Sequence, residues 1–301
     1  MDETTRLQVR IVRDDECHMP GLRAGHGIAM LVQTPETTFL LDTGDSPEVW
    51  QNADTMGIDL SEVQCVVLSH GHYDHTGGLE ELLKIVGGLP VIAHPGVFER
   101  RWAIDPDGSK RYVGAQRAQA EYEALGAQFE LSREPVAIGP GLLTSGEVPR
   151  RARPTPTQET LMVERDGELV PDDFQDDLSV VVQFPQGTVI LTGCAHAGLR
   201  NIARQCVRAS GCENPRAIVG GTHLYASDEA EVREVARQLH MIAVDQIVPL
   251  HCTGAEAKKL LVKYFDGETL LAGTGDTVVC GSDVVLSVHT MAAMASERPR
   301  P

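Results

Sequence analysis

Four side chains able to bind a metal fall within six residues of this chain: His70, His72, Asp74 and His75, in the stretch His70-Gly71-His72-Tyr73-Asp74-His75. Neutral imidazole and carboxylate are ligands for zinc, iron or manganese. Left unpaired in a buried place they would be costly, and a metal relieves that cost. Gly71 permits a tight turn that lets His70 and His72 converge. Asp74 and His75 then point at a second ion. A solvated polar loop is the plain alternative, but the flanks argue against it. An apolar run of strand length, VQCVVL at 63–68, precedes the stretch, and Gly77-Gly78-Leu79 opens a helix after it.

Six residues cannot complete two coordination shells, and the second half of the chain offers candidates at strand ends. Residues 188–192 run into Gly193-Cys194-Ala195-His196, residues 246–250 into His251-Cys252, and residues 217–219 into Gly220-Gly221-Thr222-His223. His196 and His251 read as metal ligands. His223 stands between ligand, substrate contact and ordinary core histidine. The preferred role is a hydrogen bond or proton to substrate, which makes Asp74 and His223 the candidate catalytic residues. Asp177, just before a strand, can supply a carboxylate, although Asp is also a common turn residue. Cys194 can bind as thiolate or pack as a small buried residue. Asp42, at another strand end, can fix the tautomer of a ligand histidine or bond backbone amides.

The elements that must position these groups are strands followed by helices, twice over. Strands are expected at 7–12, 28–33, 39–42 and 63–68, with helices at 47–56 and 76–86. In the second half, strands at 178–184 and 188–192 pair around Gln186-Gly187. A helix presents Leu199, Ile202, Ala203, Cys206 and Val207 on one face, and Ser227 caps another that carries Val232, Val235, Ala236 and Leu239. A strand at 246–250 and a helix at 255–265 follow. The stretch 98–177 reads as an irregular substrate loop, apart from a helix near 115–125 and a hairpin around Asp166-Gly167. Residues 292–301 read as a disordered tail. The expected fold class is therefore α/β: an αββα sandwich of two mixed sheets with helices outside, in one domain over 1–301.

Composition narrows the function classes. The net charge of −17 argues against a nucleic-acid-wrapping protein and against an anionic membrane surface. It does not exclude an anionic small-molecule substrate, since bound cations invert the local field. Arg100, Arg101, Lys110, Arg111, Arg150, Arg151 and Arg153 are unusual cations in so acidic a chain and can grip a phosphate. Seven cysteines, an odd count without clustering, imply a reducing compartment. MDETTRLQVR lacks a secretory apolar run, and no stretch reaches the ~18 apolar residues of a membrane span. A soluble, cytoplasmic protein is expected.

LSHGHYDHTGGL resembles the signature loop of metallo-β-lactamase-fold hydrolases. AGHGIAMLVQT, FLLDTGDS, GEVPR, DDLSVVV, VILTGCAHAGLRNI, GGTHL and IVPLHCTG extend that likeness over nearly the whole chain. Their order resembles the branch that includes the methanopterin-pathway enzyme 7,8-dihydropterin-6-methyl-4-(β-D-ribofuranosyl)aminobenzene-5′-phosphate synthase. The resemblance implies metal ligation by His70, His72, Asp74, His75, His196 and His251. Two departures stand out. Cys194 replaces the usual aspartate, and FQDDLS lacks the usual preceding histidine, so His196 compensates with Asp177 or Cys194. The glutamate that relatives carry before the first His-Gly is here Gly25.

The leading expectation is hydrolysis of a phosphoester, thioester or lactone by a metal-bound hydroxide on one or two divalent ions, zinc foremost. His70, His72 and His196 would hold one ion, and Asp74, His75 and His251 the other. The alternatives are dihydropterin-methyl transfer to a ribofuranosylaminobenzene phosphate and a non-catalytic metal sensor.

Overall fold

The computed structural model describes residues 5–153, 155 and 160–290. The tail expected at 292–301 lies outside them. Two large mixed sheets face each other. The first runs in the order Leu286–Thr290, Asp276–Gly281, Thr5–Arg13, Ala29–Gln33, Thr38–Leu41, Cys65–Val67, Leu89–Ala93 and Ala127–Leu131. The second runs Glu268–Thr269, Gln246–Leu250, Pro215–Gly221, Gly187–Thr192, Ser179–Phe184, Leu142–Thr144 and Ala137–Gly139.

Apolar strands such as VVV and VIL are buried on both faces, so their residues divide by parity. Val180, Val182, Val189, Leu191, Val219 and Val248 meet Val9, Ile11, Met30 and Leu41 between the sheets. Their neighbours Val181, Ile190, Ile218 and Ile247 turn outward to helices Leu199–Ser210, Glu229–Met241 and Ala255–Tyr264. On the far side, Leu31, Leu40 and Val66 pack under Val49–Thr55 and Leu79–Val86. These layers make the αββα sandwich.

Several boundaries differ from the sequence reading. The helix expected at 76–86 is split into Tyr73–Thr76 and Leu79–Val86, with Gly77, whose amide also donates to the Gly44 carbonyl at 2.8 Å, and Gly78 between them. The helix near 115–125 shrinks to Gln119–Glu123. Asp228, not Ser227, caps Glu229–Met241, since its carboxylate accepts from the Glu231 amide and completes a capping box. The stretch 98–177 is far from irregular. Arg101–Ile104, Lys110–Tyr112, Leu161–Arg165 and Glu168–Pro171 form a third, antiparallel sheet. The hairpin around Asp166-Gly167 is present, with both turn residues at positive φ. This small sheet is tied to the metal loop, where the Tyr73 amide donates to the Val113 carbonyl.

Candidate metal centre

The loop at 70–75 leaves the strand Cys65–Val67 and is held from below by one carboxylate. Asp42, at φ 59°, follows Thr38–Leu41 and is fully buried. Its Oδ1 accepts from the Ser69 amide and its Oδ2 from the Ser69 hydroxyl, both at 2.7 Å. The same Oδ2 lies 2.7 Å from His75 Nδ1. Asp42 therefore does both things foreseen for it, and His75 Nε2 is left free to bind a cation. The Ser69 hydroxyl, having donated to Asp42, accepts from His70 Nδ1–H at 3.0 Å and leaves His70 Nε2 as the unprotonated nitrogen in the same way.

A second support comes from the small sheet. Arg101 is 1% exposed and pairs with Asp172 at 2.8 Å and Asp176 at 2.7 Å. Asp176 Oδ2 accepts from the Gly71 amide at 2.8 Å. Arg101, read as a phosphate-gripping cation, is instead spent on this buried network. Gly71 lacks the positive φ of a special turn; its requirement is room, since a Cβ there would run into the Val97 carbonyl.

Three parallel strands of the second sheet deliver the rest, and the backbone turns sharply after each. Ala195, His223 and His251 stand at φ 59°, 52° and 44°, unusual for non-glycine residues and common at functional sites. His196 Nε2 comes within 3.2 Å of His70 Nε2. Either one holds a proton for the other or both share a cation. Cys194 Sγ is 3.2 Å from His75 Nε2. His251 Nε2 is 3.2 Å from Asp74 Oδ2, which is 3.6 Å from His75 Nε2. The ligand atoms of His70, Cys194 and His196 lie within 4.8 Å of one another, as do those of His75, Cys194 and His251. His72 joins through its ring, 5.4 Å from that of His196. Asp177 gives one oxygen to the Ala197 amide at 2.6 Å and keeps the other buried without a partner.

The electrostatics suit a cation. Burial first, then neighbouring imidazoles and cations, pushes His70, His72 and His196 well below the ordinary histidine range, so they stay neutral. Burial would raise Asp74, but His75, His251 and His72 outweigh it and hold the carboxylate ionised. Burial raises Asp177 to about 6. His251 goes the other way: burial would lower it, but Cys252, Asp15 and Asp74 raise it. His72 Nε2, His196 Nδ1, Asp177 Oδ1 and both His223 nitrogens are buried and unpartnered among the described residues. Such orphaned atoms, clustered with a thiol, fit a divalent cation of zinc type.

Sequence reasoning missed several members. Asp14 Oδ1 accepts the His251 amide and Asp15 Oδ1 meets His251 Nδ1, both at 2.6 Å. His26 lies between Asp15 and Asp74, at 3.1 and 3.5 Å. Phe174 stacks on His196 with centroids 3.8 Å apart. No spacing flags these residues, although the paired Asp14-Asp15 at a strand end matches the Asp42 pattern. Above the centre opens a cavity of about 320 Å³, with His72, Asp74, His223 and His251 in its floor and Arg111 and Tyr225 in its walls.

Known proteins resemble this chain to different degrees. The chain is 28% identical over 260 residues to the 7,8-dihydropterin-6-methyl-4-(beta-D-ribofuranosyl)-aminobenzene-5'-phosphate synthase of Methanocaldococcus jannaschii, covering 82% of this chain and 88% of the relative. The crystal structure of Tm1679, described as a metal-dependent hydrolase of the beta-lactamase superfamily, superposes with a TM-score of 0.79 at 29% identity, over 92% of this chain and all of that one. Zn(2+)-bound PqqB from Methylobacterium extorquens shares the fold, with a TM-score of 0.56 at 13% identity over 90% of this chain and 99% of its own. The family model of the metallo-beta-lactamase superfamily matches residues 22–239, and the chain belongs to that superfamily.

Proposed function

We propose that this protein is a metal-dependent hydrolase that cleaves an ester-type bond, in a phosphoester, thioester or lactone, of a small molecule. The observation that carries the reading is the cluster of buried imidazoles, with unpartnered nitrogens on His72, His196 and His223 and with His70 Nε2 and His196 Nε2 brought within 3.2 Å of each other. His70, His72 and His196 would hold one ion and Asp74, His75 and His251 a second, with Cys194 between them and Asp177 beside them. Zinc suits this mixed N, O and S donor set best, iron or manganese less well. When bound, such ions bring the pKa of water near neutral and polarise a substrate oxygen. Asp74 would orient the attacking water through its ionised carboxylate. His223 offers a ring nitrogen to the substrate oxygen, and Arg111 faces an anionic substituent such as a phosphate.

The synthase relative favours a second reading, transfer of a dihydropterin-methyl group to an aryl amine phosphate, because it covers most of both chains. Other inferred properties rest on less. Among the described residues no helix is long and apolar enough to cross a membrane. The acidic charge speaks against nucleic acid and anionic membrane as partners. Seven free cysteines fit a cytoplasmic, reducing setting.

The test is metal analysis joined to a substrate panel. Replacing His70 and His72 together with Ala should remove at least one metal equivalent and abolish hydrolysis of phosphodiesters and lactones. Unchanged metal content would sink the metal assignment. Turnover of a dihydropterin pyrophosphate with an aryl amine, without hydrolysis, would favour the synthase. Bound metal without either activity would leave a sensor.

A further inference from the structure

One cluster at the same sheet edge is not absorbed by the hydrolase reading. The strands Gly187–Thr192, Pro215–Gly221 and Gln246–Leu250 lie side by side and parallel, and run into Cys194, His223 and Cys252. The two cysteines come from the outer strands of this trio and would ordinarily be kept apart by a side chain on the middle one. That position is Gly221. A Cβ there would stand 2.6 Å from Cys252 Sγ and 3.2 Å from the Cys194 Cα. Its absence opens the gap into which the Cys252 thiol reaches, 3.6 Å from the Cys194 carbonyl oxygen.

His223 closes the group from the third side. Its amide donates to Cys252 Sγ at 3.2 Å. A ring nitrogen of His223 and the two sulfurs all lie within 4.8 Å of one another. All three residues are buried, His223 at 8% exposure, and neither of its ring nitrogens has a hydrogen-bond partner. One nitrogen can serve a substrate while the other faces the thiols. The left-handed backbone at His223 is costly for a histidine and is kept where the surrounding structure demands it.

We propose that Cys194, Cys252 and His223 form a thiophilic cation site beside the histidine cluster, taking soft d10 ions such as Zn2+, Cd2+ or Cu+. Two thiolates and one imidazole make a Cys2His donor set, which leaves a fourth position open. Here all three residues line the cavity, so that position is accessible. Hard cations such as Mg2+ or Ca2+ want oxygen ligands and are not candidates. Binding takes both sulfurs as thiolates, any thiol proton the pair carries going to solvent, and no other chemistry is required. The site shares Cys194 with the histidine cluster but stands on its own geometry.

Cadmium is the probe, because a sulfur-to-cadmium charge-transfer band reports thiolate ligation directly. The metal-stripped full chain is titrated with Cd2+, following absorbance and bound metal together. Cys252→Ser should lower the band by about half, since one of two thiolates is gone. His223→Ala should weaken Cd2+ affinity at the band while both cysteines remain. His70→Ala with His72→Ala should lower total bound cadmium yet keep the band. A band unchanged by Cys252→Ser overturns the site, because Cys194 alone then supplies the sulfur. X-ray absorption of the unsubstituted, cadmium-loaded protein needs no variant: two sulfurs on one ion support the site, and a single sulfur overturns it. The hydrolase reading fails separately, if the histidine pair can be removed with no loss of metal.

Discussion

His75, in the short helix after the strand Cys65–Val67, and His251, directly after the strand Gln246–Leu250 of the opposite sheet, are secured differently. Each has its Nδ1 on a carboxylate, at 2.7 Å from Asp42 and 2.6 Å from Asp15. Asp42 lies 33 residues before His75, in the same sheet and fully buried. Asp15 lies 236 residues before His251, across the sandwich, with its side chain 34% exposed. The loop at 70–75 is thus a local device with buried supports. The strand-end ligands of the second sheet depend on the docking of the two halves.

That contrast can be broken or sharpened by substitution. The largest effect is expected at Arg101, the buried brace of the loop. Arg101→Met leaves Asp172 and Asp176 without their cation and should cost about 3–5 kcal/mol, read from urea unfolding of the metal-free protein. A change below about 1 kcal/mol would mean that Asp42 and Ser69 hold the loop unaided. Next come the two carboxylates. Asp42→Asn should weaken metal binding by about 10–100-fold, as loss of a ligand-orienting group commonly does. Asp15→Asn should do less, because water reaches Asp15 and can replace part of the bond. Equal losses, measured by competition with a chelator, would erase the distinction drawn here between buried and wet support. The smallest effect is expected at Phe174, which stacks on His196. Phe174→Leu should lower stability by about 0.5–1.5 kcal/mol beyond the area lost, the usual size of an aromatic pair, with metal content unchanged. Loss of metal in this variant would show that the ring positions His196 rather than merely covering it.

The same contrast explains what could be read from the sequence. His70, His72, Asp74 and His75 are legible because their partners lie within one turn of chain, so spacing alone implies convergence. His196, His223 and His251 are legible more weakly, each as a histidine just after a buried strand. The structure brings all three to one edge because their strands are parallel neighbours. Asp177 was anticipated as a ligand, and the structure gives it a backbone amide as partner and one free oxygen. Asp14 and Asp15 were illegible because their relation to the site exists only across the sandwich, and Cys252 because its tie to Cys194 and His223 needs the parallel pairing of three separate strands. Half of the small sheet, the hairpin around Asp166-Gly167, was anticipated, and its other two strands were missed for a different reason. RWAI and KRY carry charge at positions where a buried strand would carry Val or Ile, and Arg101 is tolerated inside only because Asp172 and Asp176 neutralise it. The sheets themselves were readable where both faces are buried, as in 178–192. The strands Asp276–Gly281 and Leu286–Thr290 were not anticipated.

The strand Thr5–Arg13 sits inside its sheet, between Ala29–Gln33 and Asp276–Gly281. The first of these neighbours is made at once on the ribosome. The second is made much later, and the Asp14 amide waits 260 residues for the Thr274 hydroxyl. At translation rates of about 5–20 residues per second, that leaves one edge open for roughly 13–50 s. An unpaired strand edge invites pairing with another chain. The register shift between Thr5 and Leu7, which breaks the regular ladder on that side, makes the waiting edge a poorer template for a stranger. Because Asp14 and Asp15 follow this strand and fasten His251, the candidate centre too must wait for residues made much later, as the separations of 237 and 236 residues show.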